Sequence, residues 1–132
     1  MFTITRVCEE RWEAYQDDCS GFVKAVATHL GITLTGQAND IVDQMQVLPW
    51  KVLKSGKEAE AHARLNFFVV RGLKASGHGH VVVVVPGPLN RETYPTAYWG
   101  RLGGQGRKAS TINLAWNQTD RDKVTYAYYS VI

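Results

Sequence analysis

The chain has 132 residues, 45% of them hydrophobic and 20% charged, with a formal net charge of +3. That length encloses a sizeable core without staples and predicts one globular domain over residues 1–132. No apolar run approaches the ~20 residues that span a bilayer, which argues against membrane insertion, and the basic residues are scattered rather than striped between aromatics, which argues against nucleic acid as a partner.

In chain order, the amino terminus MFTITRVCEERWEAY lacks a basic start followed by an apolar block and a small-residue cleavage site. Export by the general secretory route is therefore not written there, and synthesis in the cytoplasm is expected. Cys8 and Cys19 are near enough in sequence to pair, but a cytosolic start predicts reduced thiols. From Ser20 onward, Phe22, Val23, Val26, Ala27 and Leu30 recur at spacings of three and four. They share one face of a helix that Gly31 ends, and Cys19 lies at its amino-terminal edge. A second helix is expected to start near Asn39 and to close before Pro49. Ser55 and Glu58 have capping-box spacing ahead of an alanine-rich third helix. The stretches NFFVVRGL, HVVVVVPG, TAYWGRL, STINLAWN and KVTYAYYSVI then read as strands, because β-branched and aromatic residues alternate with Gly, Pro, Asn and Asp clusters. Helices first and strands second predict an α+β fold, an antiparallel β-sheet with helices packed on one side.

Cys19 sits between Asp18 and the pair Ser20, Gly21, a setting that suits chemistry better than packing. A helix start offers partial positive charge and free N–H groups, which lower a thiol pKa from its ordinary ~8.5. The N–H groups of Cys19 and Ser20 would also receive the oxyanion of a tetrahedral intermediate. A thiol nucleophile needs a histidine, and there are four. His29 lies roughly 15 Å along the same helix, out of reach, and His62 falls inside the alanine-rich helix as a surface residue. His78 belongs to a glycine-rich loop, whereas His80 opens a strand that would hold its ring. The His-x-His pair could be half of a metal site, but no Cys or carboxylate cluster completes it, so neither metal nor other cofactor is expected. GRLGGQGRK lacks the Gly-Lys-Ser/Thr ending of a phosphate loop and reads as a flexible loop.

DCSGFV opening a helix, followed later by GHV opening a strand, resembles the NlpC-type branch of papain-like cysteine peptidases. LGITLTGQANDIVD, GLKASGHGHVVVVVPGPLNRETYP and WNQTDRDKVTYAYYSV narrow the likeness to family 1 of the type VI secretion amidase effectors, and it runs from about Trp12 to near the end of the chain. The resemblance implies a papain-like (NlpC-type) fold and a peptidoglycan amidase injected into the periplasm of competing Gram-negative cells. It implies cleavage between γ-D-glutamate and meso-diaminopimelate of the stem peptide, with Cys19 as nucleophile and His80 as general base and acid. It also implies a type VI secretion apparatus for delivery and a cognate immunity protein as inhibitor. A monomer is expected.

Papain-like enzymes often orient the histidine with a polar side chain on the following strand, but TAYWGRL has no Asn, Asp or Gln there. The aligned position is near Trp99, whose indole donates but does not accept a hydrogen bond. Candidates for gripping the stem peptide are Trp50 in the LPWK loop, Asn90, Arg91, and Arg107 in the GQGRK loop. Two other readings stay open: a thiol acyltransferase or deamidase acting on a protein, and a non-catalytic wall-binding module with Cys19 inert.

Overall fold

A computed structural model describes residues 2–76, 79–101, 106–112, 116, 120 and 123–130. Its elements are α1 (Thr3–Trp12), a 3-10 turn (Glu13–Tyr15), α2 (Cys19–His29), α3 (Ala38–Gln44), β1 (Trp50–Leu53), α4 (Gly56–Arg64), β2 (Val69–Leu73), β3 (His80–Val84), β4 (Thr96–Trp99), β5 (Arg107–Thr111) and β6 (Thr125–Tyr129). The six strands form one sheet in the order β1-β6-β2-β3-β4-β5, and every neighbouring pair is antiparallel. The α+β class read from the sequence is the class observed.

Alternation along the strands divides the interior in two. Val70, Val81, Val83, Tyr98 and Ala127 face α1, α2 and α3, where Ile4, Val7, Phe22, Val23, Val26, Ile41 and Val42 meet them. Each such buried aliphatic or aromatic side chain contributes about 1.5–3 kcal/mol relative to exposure. Val69, Val82, Val84, Ala97, Trp99 and Tyr126 face the other way, toward Ala59 and Ala63 of α4. The expectation of helices on one side is thus corrected: α4 crosses to the opposite face. Alanines at those two positions let its backbone approach the sheet closely, which a larger residue would prevent.

The helix starts follow local chemistry. Ser55 caps α4 by accepting the Glu58 N–H at 3.2 Å, while the Glu58 carboxylate reaches back to the Lys54 N–H at 3.3 Å. For α3 the cap is Gln37 rather than Asn39, because Asp40 closes the capping box on the Gln37 N–H at 2.9 Å. Two elements lack a counterpart in the sequence reading, α1 and β1, and β5 is corrected to start at Arg107, inside the stretch expected as a flexible loop. The first is tied down by tertiary contacts: Trp12 Nε1 donates to the Trp99 carbonyl at 3.0 Å, and Tyr98 Oη donates to Glu9 Oε2.

Candidate active site

Asp18 is the N-cap of α2. Its carboxylate accepts the Gly21 N–H at 2.9 Å and lies 3.2 Å from Ser20 Oγ. Glycine is needed at position 21 because a Cβ there would stand 2.7 Å from the Asp18 carboxyl carbon. This cap uses the amide of the third helical residue and leaves those of the first two, Cys19 and Ser20, without an intrahelical partner. Both of these amides lie beside the Cys19 sulfur, and their partial positive charge favours its thiolate. Ser20 Oγ also lies 3.1 Å from Gln37 Oε1, joining the start of α2 to the cap of α3.

A third amide comes from the sheet. Val85 N–H donates to the Thr96 carbonyl at 2.9 Å, so the alternation of an antiparallel ladder points the amides of Val83 and Val81 toward β4 as well. The pairing includes Val84 with Ala97 and Val83 with Tyr98, a register that would set Val81 opposite Gly100. There the two strands part. Gly100 backs onto the carbonyls of Tyr15 and Asp18, the Arg101 N–H goes to Gln16 O at 3.0 Å, and the Val81 N–H goes to the sulfur of Cys19. The turn before α2 is wedged into this fork, and the thiol touches the backbone of the residue that follows His80.

Cys19 is 2% exposed, and its thiol pKa is raised rather than lowered. Burial is the largest cause; the Val81 amide opposes it, the Asp18 charge adds to it, and the Ser20 and Cys19 amides oppose it again. The expected depression fails because withdrawing a thiolate from water outweighs the partial charge of a helix start. Cys8 is also a free thiol, fully buried in α1, and burial followed by the Glu9 charge pushes it well up. Such a thiol behaves as a small apolar core residue.

His80 is half-buried, and strand alternation turns it to the face of Val82 and Val84. Its ring packs on Trp116, centroids 4.9 Å apart and planes at 58°. The loop that leads to it is held by Asn39, which donates to the Ala75 carbonyl at 2.8 Å and accepts the Ala75 N–H at 3.1 Å. His78 lies outside the described residues. His29 is exposed, with its Nδ1 2.9 Å from an Arg11 nitrogen. His62, expected on the surface, is half-buried instead and packs 4.4 Å from the Tyr128 ring. Trp99 is fully buried, and its indole N–H has no hydrogen-bond partner among the described residues.

The expected substrate contacts separate. Arg107 is exposed and pairs with Trp99, at the end of the sheet where β3 and β4 part. Arg101, which the sequence reading passed over, is exposed at the same end; its only signal is adjacency to the Gly100 that abuts Asp18. Trp50 is corrected from a gripping loop to the first residue of β1, buried against Phe68 at 5.7 Å and Tyr129 at 5.5 Å. Asn90 and Arg91 lie apart from both of these places. They belong to the turn closed by the Asn90–Tyr94 bridge beyond the far end of β3, and five residues of strand carry the chain about 16 Å from His80 before that turn begins.

No family model matches the chain. It is 39% identical, over an alignment 139 positions long, to the peptidoglycan amidase Tse1 of Pseudomonas aeruginosa, covering 97% of this chain and 90% of that protein. With that identity over almost the whole length, and with the cysteine of its DCSG motif at a helix start against the strand that His80 opens, the chain belongs to family 1 of the type VI secretion amidase effectors.

Proposed function

We propose that the chain is a cysteine-dependent amidase that hydrolyses the γ-D-glutamyl-meso-diaminopimelate bond of Gram-negative peptidoglycan, acting as one domain. The observation that carries this reading is the Cys19 sulfur held by the amides of Cys19, Ser20 and Val81 in a relative of a peptidoglycan amidase. A raised thiol pKa favours a neutral resting thiol, so the attack is assisted: the imidazole of His80 takes the proton as sulfur bonds to the γ-glutamyl carbonyl carbon. The amides of Cys19 and Ser20, already directed at the sulfur, receive the oxygen that becomes negative. His80 returns its proton to the departing diaminopimelate amine and then draws one from water, which displaces the thiolate from the acyl-enzyme.

Arg107 and Arg101, both exposed where the strands part, are suited to a carboxylate of the stem peptide. Delivery by a type VI secretion apparatus into the periplasm of a target cell and neutralisation by an immunity protein complete the reading. Purified Gram-negative sacculi digested with wild type and Cys19→Ala test it. Mass spectrometry should find a new free diaminopimelate amine with wild type alone; the same product from a folded Cys19→Ala would remove Cys19 from the mechanism.

A further inference from the structure

We infer that Trp116 fixes the orientation of the His80 imidazole, the task that a polar side chain often performs in papain-like enzymes. The inference rests on His80 being the general base. Trp116 is 8% exposed and lies over two neighbouring positions of one sheet face. Its ring is 4.9 Å from that of His80, and the guanidinium carbon of Arg71 is 4.8 Å from the same indole. Arg71 pairs with Val82 and His80 with Leu73 across β2 and β3, so Arg71 and His80 are diagonal neighbours on that face.

Arg71 is an unusual foundation. Its side chain is fully buried, and besides Trp116 it meets the rings of Tyr126 at 4.9 Å and Tyr94 at 5.9 Å. A guanidinium keeps its charge under these conditions, and cation–π attraction strengthens when both partners are removed from water. The indole is thereby anchored from one strand and bears on the histidine of the next.

A strand end fixes the first torsion of His80 more firmly than the second, which is broad and nearly two-fold for an imidazole. A tilted ring contact restrains that second torsion. The restraint matters because a general base must come within about 2.6–3.2 Å of the atom whose proton it takes, and a displacement of ~1 Å costs on the order of a hundredfold in rate. The contact of Trp116 is with the imidazole ring itself, so its loss should act on turnover more than on substrate affinity.

Steady-state kinetics on a soluble tetrapeptide muropeptide test this with Trp116→Ala, Trp116→Phe and Trp116→Leu beside His80→Ala. Trp116→Ala should lower kcat about 10- to 100-fold with KM within about threefold, and Trp116→Phe should recover most of the loss while Trp116→Leu does not. Should Trp116→Ala fail to fold, the Phe and Leu variants decide: equal kcat in both overturns the inference. A wild-type kcat in Trp116→Ala, or a loss carried by KM, overturns it too. Near-wild-type turnover in a folded His80→Ala would instead overturn the general-base assignment beneath it.

Discussion

Gly100 stands against Asp18: a Cβ on the glycine would come 2.7 Å from the Asp18 carbonyl oxygen and would fall on that of Tyr15. Neither neighbour is a flexible side chain that could swing away. Gly100→Ala must therefore push the turn before α2 out of the fork between β3 and β4. We expect a stability loss of about 1–3 kcal/mol in urea unfolding, and muropeptide release reduced more than tenfold in the folded fraction because Cys19 moves with the turn. Unchanged release would show that the close approach is incidental.

The Cys19 side chain should rest as a protonated thiol and alkylate only through the small fraction that ionises. Burial raises its pKa above the ordinary value, so the thiolate is scarce at neutral pH and grows only as the pH climbs past about 8.5. Iodoacetamide labelling followed by intact mass should rise through that range and show no plateau near pH 5–6. A labelling limb in acid would mean that a thiolate-imidazolium pair exists before substrate binds.

Asn39 holds the approach to His80 with its two hydrogen bonds to Ala75. Both lie at the exposed edge of the molecule, so Asn39→Ala should cost only about 1 kcal/mol of global stability. Amide hydrogen exchange at Ala75 should accelerate markedly, and turnover should fall because the histidine strand loses its anchor. Exchange at the wild-type rate would place the stiffness of this loop elsewhere.

Glu9 makes stability depend on acid. Its carboxyl pKa is lowered, first by the hydrogen bond from Tyr98 and further by Lys108, whose Nζ is 3.2 Å away. A depressed folded-state pKa contributes stability above the unfolded carboxyl value of about 4.3, and that contribution disappears as the pH falls through the folded value. The pair is partly exposed, so the amount is about 1 kcal/mol or less. Urea unfolding from pH 6 to 3 should show a shallower pH slope for Glu9→Gln; an identical slope would leave the acid sensitivity to other carboxylates.

What could be read from the sequence was what local chemistry determines. Asp18, the apolar spacing from Phe22 to Leu30 and Gly31 announce α2, and Ser55 with Glu58 announces α4, since caps and periodicity act within a turn or two of chain. β1 escaped notice because four residues with the burial pattern of a loop become a strand only when β6, far along the chain, supplies hydrogen bonds. The face chosen by α4 was hidden for the same reason. Cys19 and His80 were legible as types in suggestive settings, and the sheet brings the sulfur to the residue beside the histidine. Asn90 and Arg91 follow His80 closely in sequence, yet an extended strand turns that closeness into distance. Trp116 carried no local signal: its relation to His80 and Arg71 exists only across strands.

The last strand of the chain is laid between β1 and β2 rather than at a margin. While a nascent chain has emerged only as far as residue 124, β1 has no neighbour to zip onto and β2 shows a raw flank. Docking of β1 onto the rest of the sheet thus waits for β6, and a transcript cut short of β6 encodes a polypeptide missing an inner plank.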